Sequence, residues 1–148
     1  MILTYQFGKL LPGYLPTDIL NDDLGSHRMG EAALACIDAD FEFWIDSRCV
    51  LKQPYWNVVQ LAMQLAYWAA KGMKFDFRFS CIDADEEELF TFRQLGPGFS
   101  FYSEWEEEPT PALIPQAALR EFIDRLRIDV RARIKHELGF EVGGQLGS

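Results

Sequence analysis

Cysteine is scarce in this chain: three residues among 148, at Cys36, Cys49 and Cys81. The odd number and the lack of any C-x-x-C pair speak against a disulfide frame and fit reduced thiols in a cytoplasm. Catalytic signatures are missing as well. There is no G-x-S-x-G, no G-x-G-x-x-G, no P-loop and no H-E-x-x-H, so no motif points to an enzyme and none calls for a cofactor. Long apolar runs are also wanting. The richest stretch, 54–72, is broken by Asn57, Gln60 and Gln64 and is short for a bilayer core. Residues 1–7 lack the basic start and apolar run of a secretory leader. Positive charge is in short supply: 14 Lys and Arg face 23 Asp and Glu, a net charge of −9. Such a chain repels phosphate backbones and anionic membranes, and favours a basic protein partner or a cation.

What the chain has is apolar and aromatic mass, 49% and 14% of residues, enough for one domain with its own core. The stretch 54–72, PYWNVVQLAMQLAYWAAKG, reads as a helix. Pro54 suits a first helical turn and Gly72 a left-handed stop. Asn57, Gln60, Gln64 and Lys71 form one narrow polar strip, so the remaining circumference is expected to be buried. This helix is taken as the element on which the rest packs.

Around it the period changes to two. Residues 1–7 suit a first strand. Residues 8–30 form a turn-rich loop in which His27 reads as solvated. Residues 37–46 alternate: Ile37, Ala39, Phe41, Phe43 and Ile45 on one face, and Asp38, Asp40, Glu42, Trp44 and Asp46 on the other. A return strand is expected at 49–52. Phe75, Phe77 and Phe79, then Phe90 and Phe92, then Phe99 and Phe101 with Ser103 and Trp105, give three strand faces. The turn Gly96-Pro97-Gly98 joins the last two. They predict an antiparallel meander laid over the buried helix. Pro109, Pro111 and Pro115 mark a linker. Leu119, Phe122, Ile123, Leu126, Val130 and Ile134 define a C-terminal amphipathic helix ending near Gly139, with Glu121–Arg125 and Asp129–Arg133 pairs along it. The expected fold class is therefore α+β: an antiparallel sheet, a meander plus additional strands, on a buried central helix, followed by a C-terminal amphipathic helix. One domain spans 1–142, with 143–148 as a flexible tail.

Charge is unevenly placed: a net of −3 over 1–72, −7 over 73–112 and +1 over 113–148. Asp83, Asp85, Glu86, Glu87 and Glu88 form one block, and Glu104, Glu106, Glu107 and Glu108 another. In a meander both blocks fall at the same end of the sheet. There they form either a solvated rim or a docking surface for a basic partner, with Tyr102 and Trp105 as apolar anchors. Asp38-x-Asp40 and Asp83-x-Asp85 offer hard oxygen ligands, but such spacings are common and no calcium loop accompanies them, so no metal site is assigned. Cys36 and Cys81 read as core thiols.

The strand LTYQF, the helix PYWNVVQLAMQLAYW, the meander FDFRFS…ELFTF…FSFYSEW and the helix LREFIDRLRIDVRARI together resemble the small acidic cytoplasmic immunity proteins of bacterial polymorphic-toxin and contact-dependent-inhibition systems. The resemblance implies tight binding and neutralisation of a cognate toxin domain with a basic surface, often a nuclease, with no nucleic acid or membrane bound directly. It assigns no residue a role. The runner-up expectations are a metal-dependent enzyme using Asp38, Asp40, Asp83 or Asp85, and an adaptor for another partner.

Overall fold

The alternation of residues 37–46 settles the first layer. The computed structural model describes residues 1–12, 37–79, 89–105, 113–139, 141 and 146. In it, β2 (Ala39–Ile45) buries Ala39, Phe41, Phe43 and Ile45 and turns Asp40, Glu42 and Trp44 outward. Strand β1 (Leu3–Phe7) and strand β3 (Arg48–Trp56) flank it antiparallel, in the order β1-β2-β3.

The return strand is longer than the sequence predicts, and it corrects the start of the central helix. Pro54 lies in β3 and opens no helix. Ala39 faces Trp56 while Phe41 faces Gln53, so an extra residue is bulged into β3 around Pro54 and Tyr55. A proline is tolerated there because β3 is the outer strand of its sheet among the described residues and no ladder bond needs its amide. Tyr55 takes a left-handed backbone, φ 55°. That residue re-aims the strand, as bulges do, and sends Trp56 into the core, where it stacks on Phe41 at 5.8 Å.

Helix α1 follows as Val58–Ala70. Asn57 precedes it without capping it; the Asn57 amide donates to the Asp38 carboxylate instead. Val58, Val59, Leu61, Ala62, Leu65 and Trp68 are buried, but Tyr67 is 65% exposed. The helix is thus covered on part of its circumference and not most of the way round. Gly72 closes it with φ 91°, as its position predicts.

The second layer is a four-stranded antiparallel sheet in sequence order: β4 (Phe77–Arg78), β5 (Thr91–Leu95), β6 (Gly98–Tyr102) and β7 (Ile114–Pro115). The meander is present, and the proline linker contributes its fourth strand. Phe77, Phe79, Phe90, Phe92, Phe99 and Phe101 are buried. Phe75 is not with them: it lies outside β4, 53% exposed, and its carbonyl accepts the Trp68 indole N–H at 2.8 Å.

Helix α2 (Gln116–Leu138) buries the six apolar residues its period predicts and ends at a left-handed Gly139, φ 76°. The layers meet at Phe43, whose ring lies 5.1 Å from Phe90 and 5.0 Å from both Phe101 and Phe122. The arginines of α2 do not form the predicted pairs with Glu121 and Asp129. Arg125 donates to the Leu3 carbonyl (2.7 Å), and Arg133 donates to the Phe7 and Gly8 carbonyls (3.3 and 2.7 Å) and to Glu137. Asp129 accepts the Tyr5 hydroxyl. An edge strand leaves backbone carbonyls without partners, and α2 satisfies those of Leu3 and Phe7 in β1 and of Gly8 just beyond it. The result is α+β, and among the described residues the strands form two sheets where one was expected. Leu146 is buried in the same core.

Candidate functional site

Register decides where the meander's connections leave. Phe77 pairs with Phe92 and Arg78 with Thr91; Thr91 in turn pairs with Tyr102. Arg78, Thr91 and Tyr102 therefore stand side by side at one end of the sheet. The chain leaves β4 and re-enters β5 at this end, and it leaves β6 here too. Phe79 extends the pairing one step further, its amide donating to the Phe90 carbonyl at 3.0 Å. Of the predicted site residues, Tyr102, Glu104 and Trp105 fall within the described chain. Asp83, Asp85, Glu86, Glu87, Glu88, Glu106, Glu107 and Glu108 lie outside the described residues, as do His27, Cys36 and Cys81.

The three described residues occupy distinct settings. Tyr102 is half-buried, with the Arg93 guanidinium 4.1 Å above its ring, a cation–π contact. Ser103 is buried, and its hydroxyl accepts the Trp105 amide at 3.1 Å. That bond is a local side-chain turn, and it closes the chain just past the end of β6 at Tyr102. Glu104 is exposed and Trp105 is 38% exposed. The Trp105 ring stands edge-on to Trp56, 5.9 Å between centroids. Trp56 is itself fixed by Phe41 and by Phe79 at 5.4 Å. An exposed indole on a rigid aromatic floor loses little side-chain freedom when it binds, which is what a protein–protein anchor needs. Beneath this end, the buried Trp56 indole N–H and Thr91 hydroxyl have no hydrogen-bond partner among the described residues.

The sequence signal for this aromatic pair is only half visible. Trp105 stands out beside the acids, but Trp56 falls in a run whose proline and apolar spacing also suit a first helical turn. The run Pro54-Tyr55-Trp56 suits an edge strand as well as a first turn, and only the pairing with β2 separates the two.

The Asp38 carboxylate is engaged by the Asn57 amide, and its backbone bridges Leu11. Among the described residues no three His, Cys, Asp or Glu side chains gather as a metal site would require. The Cys49 thiol is pushed up by burial and by the nearby Glu42 charge, and donates to the Leu51 carbonyl at 3.4 Å. A thiol held protonated is a poor nucleophile. No helix among the described residues is long and apolar enough to cross a membrane.

The family model described as Domain of unknown function (DUF7878) matches residues 5–136, from β1 through nearly all of α2. The chain belongs to that family. No curated protein and no solved structure matches it.

Proposed function

We propose that this member of the DUF7878 family is a non-enzymatic cytoplasmic inhibitor, an immunity protein that binds and neutralises a cognate toxin domain with a basic surface. The observation that carries the reading is the register of Arg78, Thr91 and Tyr102. It roots both acid-bearing segments at one sheet end, beside the exposed Trp105. In this reading Asp83, Asp85, Glu86, Glu87, Glu88, Glu104, Glu106, Glu107 and Glu108 steer the encounter, while Trp105 and Tyr102 supply the apolar contact. Nine carboxylates equal the net charge of the chain. Folding gains nothing from such a concentration, whereas a basic partner gains association rate from it.

The test begins with the gene neighbourhood, where a large secreted protein with a variable C-terminal domain is expected immediately upstream, and uses that domain as the probe. Co-expression of the wild-type chain is expected to restore growth of cells producing that domain. Reversing the charge of both blocks is expected to slow association about tenfold or more at low salt and to flatten its salt dependence. Trp105→Ala is expected to raise the dissociation rate. Unchanged association after reversal of both blocks would overturn the reading, as would a gene neighbourhood with no such secreted protein.

A further inference from the structure

The other end of the meander, away from Arg78, Thr91 and Tyr102, has the opposite character. Phe77 pairs with Phe92, so the chain entering β4 runs beside Gln94 and Leu95. The Asp76 carboxylate accepts the Gln94 amide at 2.8 Å there. Helix α1 ends at the same place: the Trp68 ring lies 5.4 Å from Phe77 and 5.2 Å from Phe99. Around this end Tyr67, Phe75 and Leu95 are all exposed, Leu95 by 47%. Phe75 is not loosely placed. Gly72 and Met73 take consecutive left-handed angles, φ 91° and 55°, and the Met73 side chain is buried. The Trp68 indole then holds the Phe75 carbonyl. A buried side chain on one side and a hydrogen bond on the other fix a backbone that is costly away from glycine, and it presents the Phe75 ring to solvent on a rigid base.

We propose that this end docks an acidic protein segment, its carboxylates meeting Lys71 and Lys74 and its apolar side chains resting on Tyr67, Phe75 and Leu95. Charge complementarity names the occupant. In a chain of net −9, residues 70–77 carry Lys71 and Lys74 against the single acid Asp76, and the Gln94 amide already occupies that carboxylate. The Lys71 ammonium lies over the Tyr67 ring at 5.3 Å. Neither lysine meets an acid among the described residues. Exposed rings on a rigid backbone give anchor area at little cost in side-chain freedom. Lysines at their rim steer an acidic segment in and turn a basic one away. None of the acid-bearing sheet-end residues takes part, so the proposal stands or falls apart from the inhibitor reading.

The test is a titration of the full chain followed by amide NMR, with two probes: a capped Asp-Glu-Leu-Asp-Glu-Phe-Asp peptide, and its neutral counterpart with Asn and Gln in place of the acids. Saturable shifts at Lys71, Gly72, Lys74, Phe75 and Leu95 are expected with the acidic peptide at about 1 mM or below. The neutral peptide is expected to bind about tenfold more weakly or worse, and added salt to weaken the acidic one. Phe75→Ser is expected to weaken binding about fivefold or more. Lys71→Glu with Lys74→Glu is expected to abolish it; both lysines are exposed, and circular dichroism checks that the variant is folded. The proposal is overturned if the acidic peptide gives no saturable shifts by about 10 mM. It is equally overturned if the neutral peptide binds as well, or if the folded double variant binds like wild type. Sedimentation of the chain alone supplies the last outcome: a dimer dissolved by the double variant would make a second copy the occupant and overturn the assignment to a separate acidic partner.

Discussion

Gly98 is the position where one methyl group should do the most harm. It opens β6 and pairs with Pro115 of β7. A Cβ built on it would lie 2.3 Å from the Ile114 carbonyl oxygen and 3.1 Å from the Leu113 Cδ1. Carbon–oxygen contact needs at least about 3.3 Å, so β7 would have to retreat by roughly 1 Å. That retreat is constrained, because the Ile114 side chain is fully buried and Pro115 leads directly into α2. Overpacking of this kind costs about 1–3 kcal/mol, and a stretched strand-to-strand hydrogen bond adds about 1 kcal/mol. Gly98→Ala should therefore lose about 2–4 kcal/mol, a fall in Tm of about 5–15 °C for a chain of this size. Urea unfolding followed by circular dichroism measures it, with the m-value unchanged if the unfolded state is unaffected. Gly96 supplies the control. It has φ 54° and nothing within 4 Å of its would-be Cβ, so Gly96→Ala should cost only the left-handed penalty of about 1–2 kcal/mol, and Gly96→Asn less. A Gly98→Ala protein as stable as wild type would refute the close approach of β6 and β7.

Two further substitutions probe the core and the helix–strand lock. Phe43→Ala empties the point where both sheets and α2 meet and should cost about 3–5 kcal/mol by denaturant melt; a loss below about 1 kcal/mol would mean the layers do not converge there. Burial opposes ionisation of Glu137, but the Arg133 hydrogen bond, the Leu10 amide and the positive charges of Arg133 and His136 hold its carboxyl below the usual range. A folded pKa below the unfolded one stabilises above the unfolded value and fades as pH falls through the folded value. Glu137→Gln should therefore cost about 1 kcal/mol near neutral pH, with the gap to wild type closing below about pH 4. A gap that stays constant down to pH 2 in acid-unfolding curves would contradict the assignment.

Legibility in the sequence followed the range of the interaction. Six apolar residues at threes and fours define the buried face of α2 whatever covers it, and the alternation of 37–46 defines the inner face of β2 in the same way. Gly72, Gly96 and Gly139 announce left-handed turns because other residues pay for that conformation. At the candidate site the meander order, and hence the common root of both acid-bearing segments, could be read from periodicity and the Gly-Pro-Gly turn. The setting of Trp105 could not, because it depends on Ser103 accepting a local amide and on Trp56 arriving from another sheet.

The amino-acid order alone thus determined the fold class and the inward faces of β2 and α2, since these are properties of a segment and its own backbone. Tertiary structure decided the rest. It assigned Pro54, Tyr55 and Trp56 to a bulged edge strand, split the strands into two sheets, and sent Arg125 and Arg133 to the open carbonyls of β1 in place of neighbouring acids. In each case two local outcomes were of similar energy, and a contact with a segment far away in the chain chose between them.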